Sequence, residues 1–332
     1  MVTISDIAKK LNLNKSTVSK ALNNSLDINP KTASEIRAVA KEMGYEKRQR
    51  KTAKNKTIGI ITSEIDDACY SKLANGVIAV AESEGYTCCV LTSNFDACLE
   101  EKAVDFLIEK NISGVLLVFG KPLQFQAMVN RFKERNIPVV SISERNFDSE
   151  IDNIWINDLS GVDDAIEHFC SLGHKRIAYI GDKFGMGRLE DYKKAMEARG
   201  LPVLDSLSLL LGERSFDCGY RGAKKLLESG EHFTAIFAQY DDIALGAIRA
   251  LKEEGISVPE DVSIIGADDA RFCPYLTPAL TSINCNAQSL CTVAFKLLKN
   301  KIEKTEKSVQ SVYIKPELIV RESTAKPKSF ET

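Results

Sequence analysis

The sequence lacks an apolar run of the length that crosses a membrane. A spanning helix needs about 20 consecutive apolar residues, and charged residues interrupt every apolar stretch well before that length. The N-terminal segment MVTISDIAKKLNLNK carries the acidic Asp6 and has no uninterrupted apolar core, unlike a secretory signal. We therefore expect a cytoplasmic protein.

The sequence also lacks the cysteine and histidine spacings that bind metals. Its nine cysteines form no Cys-x-x-Cys pair, and its three histidines stand at no ligand spacing from them. We expect reduced, mostly buried thiols, with no disulfide, no metal site and no cofactor. The cysteines stand at positions 69, 88, 89, 98, 170, 218, 273, 285 and 291.

Motifs for catalysis are missing as well. No GxGxxG opens a helix after a strand, and no GxxxxGK[ST] is present. The loop GDKFGMG, at residues 181–187, has three glycines but not the Lys-Ser or Lys-Thr pair that ends a phosphate loop. No Ser/His/Asp or Cys/His set is recognisable, so we predict that the chain is not an enzyme.

Charge is distributed unevenly along the 332 residues. Residues 1–57 hold 13 Lys or Arg and 5 Asp or Glu, a net charge of +8. The whole chain carries −2, so residues 58–332 carry −10. A basic head on an acidic body indicates a polyanionic partner for the head, although a basic stretch can also be only a solvated face.

The first 45 residues predict three short helices. Thr3 and Asp6 have capping-box spacing at the start of the first helix, and Asn12 at its end tolerates a left-handed conformation. The second helix is KSTVSKAL, residues 15–22, and the Asn-Pro pair at 29–30 opens the third. The apolar stripe of the first helix is Ile4, Ile7, Ala8 and Leu11. Together these signals indicate a helix-turn-helix.

The second helix carries the side chains that we assign to DNA. Hydroxyl and ammonium groups near a helix N-terminus suit phosphates and base edges. We predict that Lys15, Ser16 and Lys20 contact base edges. The residues predicted to contact mainly phosphates are Thr17, Ser19 and Asn23. The alternative is a small helical bundle that binds protein.

Residues 3–45 resemble the DNA-binding head of the lactose-repressor family almost residue for residue. The string STVSKALN is highly specific to that family. The resemblance implies that paired heads bind a palindromic operator, one recognition helix in each half-site.

The connector at residues 46–57, EKRQRKTAKNKT, departs from that family. Relatives usually have a longer connector, with a helix whose leucine wedges into the minor groove. This connector has no leucine, and Ala53 is a poor wedge. We expect it to follow the DNA backbone through charge without kinking the duplex, or to act as a flexible tether.

The body, residues 58–322, alternates apolar strands with amphipathic helices. Near-continuous apolar strands predict parallel sheets covered on both faces, here two doubly wound lobes with a ligand between them. A tail, residues 323–332, follows. The predicted strands are residues 57–62, 87–92, 114–119, 138–143, 153–157, 176–181, 234–239 and 263–268.

The body resembles the same family and, through it, the type I periplasmic binding fold. The strings HFCSLGHKRIAYIGD, YLTPALTSI and LIVREST carry this resemblance. It implies that the chain returns to the first lobe after about residue 283, with a helix there at residues 286–302. It also implies a homodimer formed through the body.

The resemblance also suggests effector-binding residues. Arg188 stands where relatives place a ligand-gripping arginine, and Asp268 matches an acidic residue that accepts ligand hydrogen bonds. Tyr70 and Phe216 could stack on a ring, although each of these four could instead serve packing or a surface ion pair. Where sugar-binding relatives often carry Asn-Asp, this chain has Tyr240 and Asp241.

The sequence therefore predicts a DNA-binding transcriptional regulator, a repressor controlled by a sugar-like molecule bound between the lobes. The alternative is a small-molecule sensor that uses the body alone and does not act on DNA.

Overall fold

The computed structural model describes residues 2–22, 28–45, 56–66, 68–119, 125–143, 150–183 and 186–328. The chain divides into two compact units, residues 1–54 and 55–332. The predicted connector lies almost wholly outside the described residues, from 46 to 55. Among the helices of the described ranges, none is long and apolar enough to cross a membrane.

The described part of the first unit contains three helices: α1 (Ile4–Leu11), α2 (Lys15–Leu22) and α3 (Pro30–Glu42). The predicted capping box is confirmed, because the Asp6 carboxylate accepts the Thr3 backbone N–H at 2.8 Å. Asn12 is left-handed, with a φ of 51°. The Asn29 side chain caps α3. The buried apolar residues at the centre of the unit are Ile7, Ala8, Val18, Ala21, Ala33, Ile36 and Ala40.

Over its described ranges, the second unit contains two six-stranded sheets, each covered by helices on both faces. The first sheet has the order β11-β5-β4-β3-β1-β2 and is parallel throughout. Its strands are β1 (Thr57–Thr62), β2 (Thr87–Thr92), β3 (Gly114–Phe119), β4 (Val139–Ser143), β5 (Asp152–Ile156) and β11 (Ser311–Ile314). Its helices are α4 (Ala68–Ser83), α5 (Ala97–Glu109), α6 (Phe125–Glu134) and α11 (Ala287–Glu303).

The second sheet has the order β12-β10-β9-β8-β6-β7, with only β12 antiparallel among its pairs. Its strands are β6 (Ile177–Asp182), β7 (Ser208–Leu211), β8 (Ala235–Ala238), β9 (Ser263–Ala267), β10 (Thr281–Asn284) and β12 (Glu317–Ile319). Its helices are α7 (Asp158–Leu172), α8 (Met186–Ala198), α9 (Ser215–Glu228) and α10 (Asp241–Glu253). The two sheets with their helices are the first and second lobes.

Two doubly wound lobes are the predicted architecture, but the prediction of eight strands was incomplete. It missed β7, β10, β11 and β12, which have only three or four residues each. Three of these four also alternate or mix burial, so they lack the continuous apolar run used to identify strands. The fourth, β10, reads TSIN and buries Thr281 and Ser282.

The predicted return to the first lobe is confirmed. Helix α11 packs with α4 in the core of the first lobe, and β11 pairs with β5. Strand β12 then pairs with β10, which brings the chain back to the second lobe. Within the described residues, the chain therefore passes between the lobes three times, at residues 157, 285–286 and 315–316.

Two glycines bring α9 and α10 into close contact. A Cβ atom on Gly219 would lie 1.9 Å from the Ile243 carbonyl oxygen, and one on Gly246 would lie 2.1 Å from the Phe216 carbonyl oxygen. Since these neighbours are backbone atoms, larger residues would force the helices apart. The close packing fixes the N-termini of both helices at the carboxyl ends of the strands.

The Asp241 carboxylate connects the turn that follows β9 to strand β10 through two hydrogen bonds. One carboxylate oxygen accepts the Ser282 hydroxyl at 2.6 Å, and the other accepts the Ala270 backbone N–H at 2.7 Å. The side chain is almost completely buried. Burial, and then the negative charge of Asp268, raise the pKa of Asp241 to about 7.

Asp241→Asn should change how stability depends on pH. The folded protein holds a proton on Asp241 more tightly than the unfolded chain does. Its contribution is therefore fully present near pH ~4 and is lost as pH rises through about 7. The free energy of unfolding of wild type relative to Asp241→Asn should thus increase from pH ~8 to ~4, measured by urea denaturation. The exposed Asp205→Asn is the matched control. Parallel curves for wild type and Asp241→Asn would contradict this assignment.

Candidate functional site

Helix α2 presents a polar face opposite its packed face. At about 100° per residue, Lys15, Ser16, Ser19 and Lys20 occupy an arc of about 140°. Val18 and Ala21 are buried on the other side. The two lysines and Ser16 are exposed, whereas Thr17 and Ser19 are half-buried. Thr17 lies about 60° outside the arc. Asn23 lies outside the described residues.

The charges of this unit favour an anionic partner for α2. Helix α2 has no acidic residue in its first turn, where the helix dipole is positive. Elsewhere on the unit, Lys10 of α1 pairs with Glu42 of α3 at 3.0 Å, so part of the positive charge is neutralised within the fold. The polar arc of α2 is therefore a surface suited to phosphates and base edges.

In the second unit, Arg188 of α8 is the centre of a buried polar cluster. Its guanidinium donates to the Gln239 carbonyl oxygen at 2.7 Å, to Asp268 at 3.1 Å and to Asp158 at 3.3 Å. Only 6% of the side chain is exposed. Its Cζ atom lies 5.2 Å from the centre of the Tyr240 ring. Carboxylates, a guanidinium and an aromatic ring therefore meet where the strands of the second lobe end.

Asp268 also contacts the first lobe through its backbone. The residue follows β9 directly and has a φ of 99°, a strained value for a non-glycine residue. Lys72 of α4, in the first lobe, donates to the carbonyl oxygens of Asp268 and Asp269 at 3.2 and 3.0 Å. The backbone of this turn is therefore held from both lobes.

Arg214 makes a second connection between the lobes. Its guanidinium pairs with Glu64 of the first lobe at 2.7 Å and with Asp182 of the second lobe at 3.4 Å. Its Cζ atom lies 4.6 Å from the centre of the Phe95 ring, and Phe95 meets Tyr70 edge to face at 6.4 Å. Burial raises the pKa of Glu64, although Arg214 opposes that shift.

The structure brings some of the predicted effector residues together and separates others. Arg188, Asp268 and Tyr240 form one cluster, whereas Tyr70 belongs to the aromatic contact next to Arg214. Phe216, on α9, is 48% exposed. No ring contact or ion pair within the described ranges joins it to these clusters.

Asp241, a predicted effector residue beside Tyr240, lies inside the second lobe. Both of its oxygens are engaged inside the second lobe by Ser282 and Ala270, and its side chain is 2% exposed. The carboxylate supports the turn that carries Asp268, and effector contact by Asp241 stays a prediction.

Sequence reasoning missed several residues at the site. Glu64, Phe95 and Asp158 each follow a predicted first-lobe strand within a few positions, so the rule that sites lie beyond strand ends could have identified them. Arg214 follows the short strand β7, which was itself missed. Lys72 stands inside α4, and no sequence signal distinguishes it from a surface lysine.

Comparisons with known proteins agree with both units. Residues 3–47 match the family of bacterial regulatory proteins named lacI, and residues 166–324 match a periplasmic binding protein-like domain. A probable transcriptional repressor, ExuR of Bacillus subtilis, is 30% identical, with 97% of this chain and 98% of that protein covered.

Solved structures show the same architecture. The regulator CelR in complex with cellobiose is 25% identical, with a TM-score of 0.73 over 97% of this chain and 100% of that one. A lacI-family regulator from Enterococcus faecium with bound ribose is 27% identical, with a TM-score of 0.73 over 82% of this chain and 100% of that one. The chain belongs to the lacI family of bacterial regulatory proteins, as a DNA-binding, effector-regulated transcriptional repressor.

Proposed function

We propose that α2 enters the major groove of an operator and reads it through the polar arc. Lys15, Ser16 and Lys20 contact base edges, while Thr17 and Ser19 contact phosphates. The observation that carries this proposal is the exposure of the first three side chains on one face, opposite the buried Val18 and Ala21. Asn23 stays a predicted phosphate contact.

The effector is a sugar or sugar derivative bound between the lobes. The Arg188 cluster supports this choice because its carboxylates accept hydroxyl hydrogen atoms and its guanidinium donates to ring and hydroxyl oxygens. Tyr240 and Tyr70 offer aromatic faces for the apolar side of a sugar ring. The two relatives whose structures contain cellobiose and ribose support the same ligand class.

Control of DNA affinity follows from the contacts between the lobes. Lys72 with Asp268, and Arg214 with Glu64, hold the two lobes together in this arrangement. A ligand changes DNA affinity only by binding this arrangement more tightly or less tightly than a more open one. Effector contacts with Asp268 and Arg188 therefore change the strength of the hydrogen bond that Lys72 makes to Asp268 across the lobes.

Two identical chains act together on one operator. One head binds weakly, so a homodimer formed through residues 58–322 supplies avidity, with residues 46–57 as the connector and 323–332 as a tail. The chain acts in the cytoplasm, where the genomic DNA of a bacterium lies. We assign regulation and no catalysis, because the relatives are regulators by name.

Lys20→Ala should relax base preference. Loss of a base contact should cost about 1–3 kcal/mol on the preferred sequence and much less on sequences altered at that base pair. Fluorescence anisotropy with a library of single-site operator variants measures the difference. Lys10→Ala is the control, since it removes the same charge from a lysine already paired with Glu42. Equal weakening on all sequences would instead make Lys20 a phosphate contact.

Asp268→Asn should abolish sugar binding while leaving operator binding in place. A sugar at 100 times its Kd stabilises the folded protein by about 2.7 kcal/mol, and the variant should lose most of that effect. The measurement is the thermal shift of the full chain with pentoses, hexoses, disaccharides and nucleobases. Asp261→Asn, which removes an exposed ion pair with Lys328, is the control. Stabilisation of wild type by nucleobases and not by sugars would refute the ligand class.

A further inference from the structure

The fold brings together two cysteines and an aspartate that are far apart in the sequence. The Sγ atoms of Cys69 and Cys285 and a carboxylate oxygen of Asp268 all lie within 4.8 Å of one another. Local spacing along the chain cannot reveal such a group, and for this reason the sequence indicated no metal site. Two thiols and a carboxylate are ligands that Zn²⁺ and similar ions bind.

Each of the three residues comes from a different part of the lobe boundary. Cys69 is the second residue of α4, in the first lobe, and Asp268 follows β9 in the second. Cys285 lies in the segment that leaves β10 and passes to α11, one of the three passages between lobes. An ion held by all three would connect the lobes directly.

The surroundings of the group suit a bound cation. Cys285 and Asp268 are 2% and 5% exposed, and Cys69 is half-buried, so the group is shielded yet reachable from one side. Arg188 lies 3.1 Å from one oxygen of Asp268 and fixes the orientation of its carboxylate. Two thiolates and a carboxylate around a divalent ion leave one negative charge, which the neighbouring Arg188 and Lys72 offset.

We propose that Cys69, Cys285 and Asp268 bind a thiophilic divalent cation, with Zn²⁺ as the best match. A tetrahedral ion with bonds of about 2.3 Å to sulfur holds its ligand atoms about 3.8 Å apart. The observed separations are all within 4.8 Å, so they exceed that value by about 1 Å at most. The fourth position is open to water or to an oxygen of the effector.

Metal binding has a defined proton balance. Each thiol that coordinates the ion loses its proton to solvent, so binding releases up to two protons from Cys69 and Cys285 for each ion bound. No electron is transferred. Since the ligands come from both lobes, the ion stabilises the joined arrangement; its effect on DNA affinity rests on the proposed function.

Cobalt(II) is the probe for the test, because thiolate ligands give it an intense charge-transfer band. Titration of the full-length, reduced, metal-free protein should produce this band with about one equivalent of Co²⁺, and Zn²⁺ should remove it. Cys69→Ser and Cys285→Ser should each lose most of the band. Asp268→Asn should weaken Co²⁺ binding by about tenfold or more. Cys98→Ser, which changes an exposed cysteine on α5, should behave like wild type.

Three results would overturn the proposal. They are the absence of the band in wild type, its persistence in the Cys69→Ser/Cys285→Ser double variant, and formation of a Cys69–Cys285 disulfide with no metal uptake. Because Cys285 is buried, the folding of Cys285→Ser and of Cys69→Ser is checked by circular dichroism. If Cys285→Ser does not fold, the half-buried Cys69→Ser alone keeps the test decisive. Metal uptake is measured without DNA or sugar, so its failure leaves the proposed function standing, and failure of sugar binding leaves the metal site standing.

Discussion

The architecture of the second unit depends on the buried guanidinium of Arg188, whose positive charge must be neutralised. Arg188 is 6% exposed, and a guanidinium removed from water is tolerated only when charges and hydrogen bonds replace its hydration. Three groups supply those partners: Asp158 at the start of α7, Asp268 after the end of β9, and the Gln239 carbonyl oxygen after the end of β8. The need to pair one arginine therefore fixes the position of the side chains around it.

The same constraint underlies the proposed response of the site to a ligand. The turn at Asp268 is strained. The Asp241 carboxylate accepts the backbone N–H of Ala270 in this turn, and Lys72 of the first lobe donates to the Asp268 carbonyl oxygen. A ligand that takes over one hydrogen bond of Arg188 or Asp268 changes the balance among these contacts. Because Lys72 and Glu64 belong to the first lobe, such a change bears directly on how firmly the lobes are joined.

The two units carry opposite net charges, and this difference assigns DNA binding to the head. The head is basic and exposes Lys15 and Lys20 on α2, whereas the body is acidic overall. Attraction to phosphates brings the head to DNA without regard to sequence, and contacts to base edges add selectivity. The negative charge of the body disfavours its own adsorption to DNA and leaves recognition to the head.

Local signals in the sequence were enough to predict much of this structure. The Thr3–Asp6 cap, the left-handed Asn12 and the Asn29-Pro30 helix start depend on neighbouring residues, and all three are observed. The continuous apolar strands of both lobes were equally legible. Strands β7, β11 and β12 mix buried and exposed positions, and β10 carries polar residues, so none of the four shows a continuous apolar run.

Long-range pairings within the site could not be read in the same way. Asp241 matched a family position, yet its bonds to Ser282 and Ala270 depend on the approach of β9, β10 and α10. The proximity of Cys69 and Cys285 likewise depends on the passage of the chain between lobes. The resemblance to the family identified Arg188 and Asp268 as candidate effector residues. Their ion pair with each other is visible only in the folded structure.

The central claim is that the helical head, and not the body, recognises DNA. Electrophoretic retardation of promoter DNA by the full-length protein and by a fragment of residues 58–332 tests it most directly. The account predicts retardation by the full-length chain, weakening steeply with salt, and none by the fragment. Equal retardation by both proteins would contradict it.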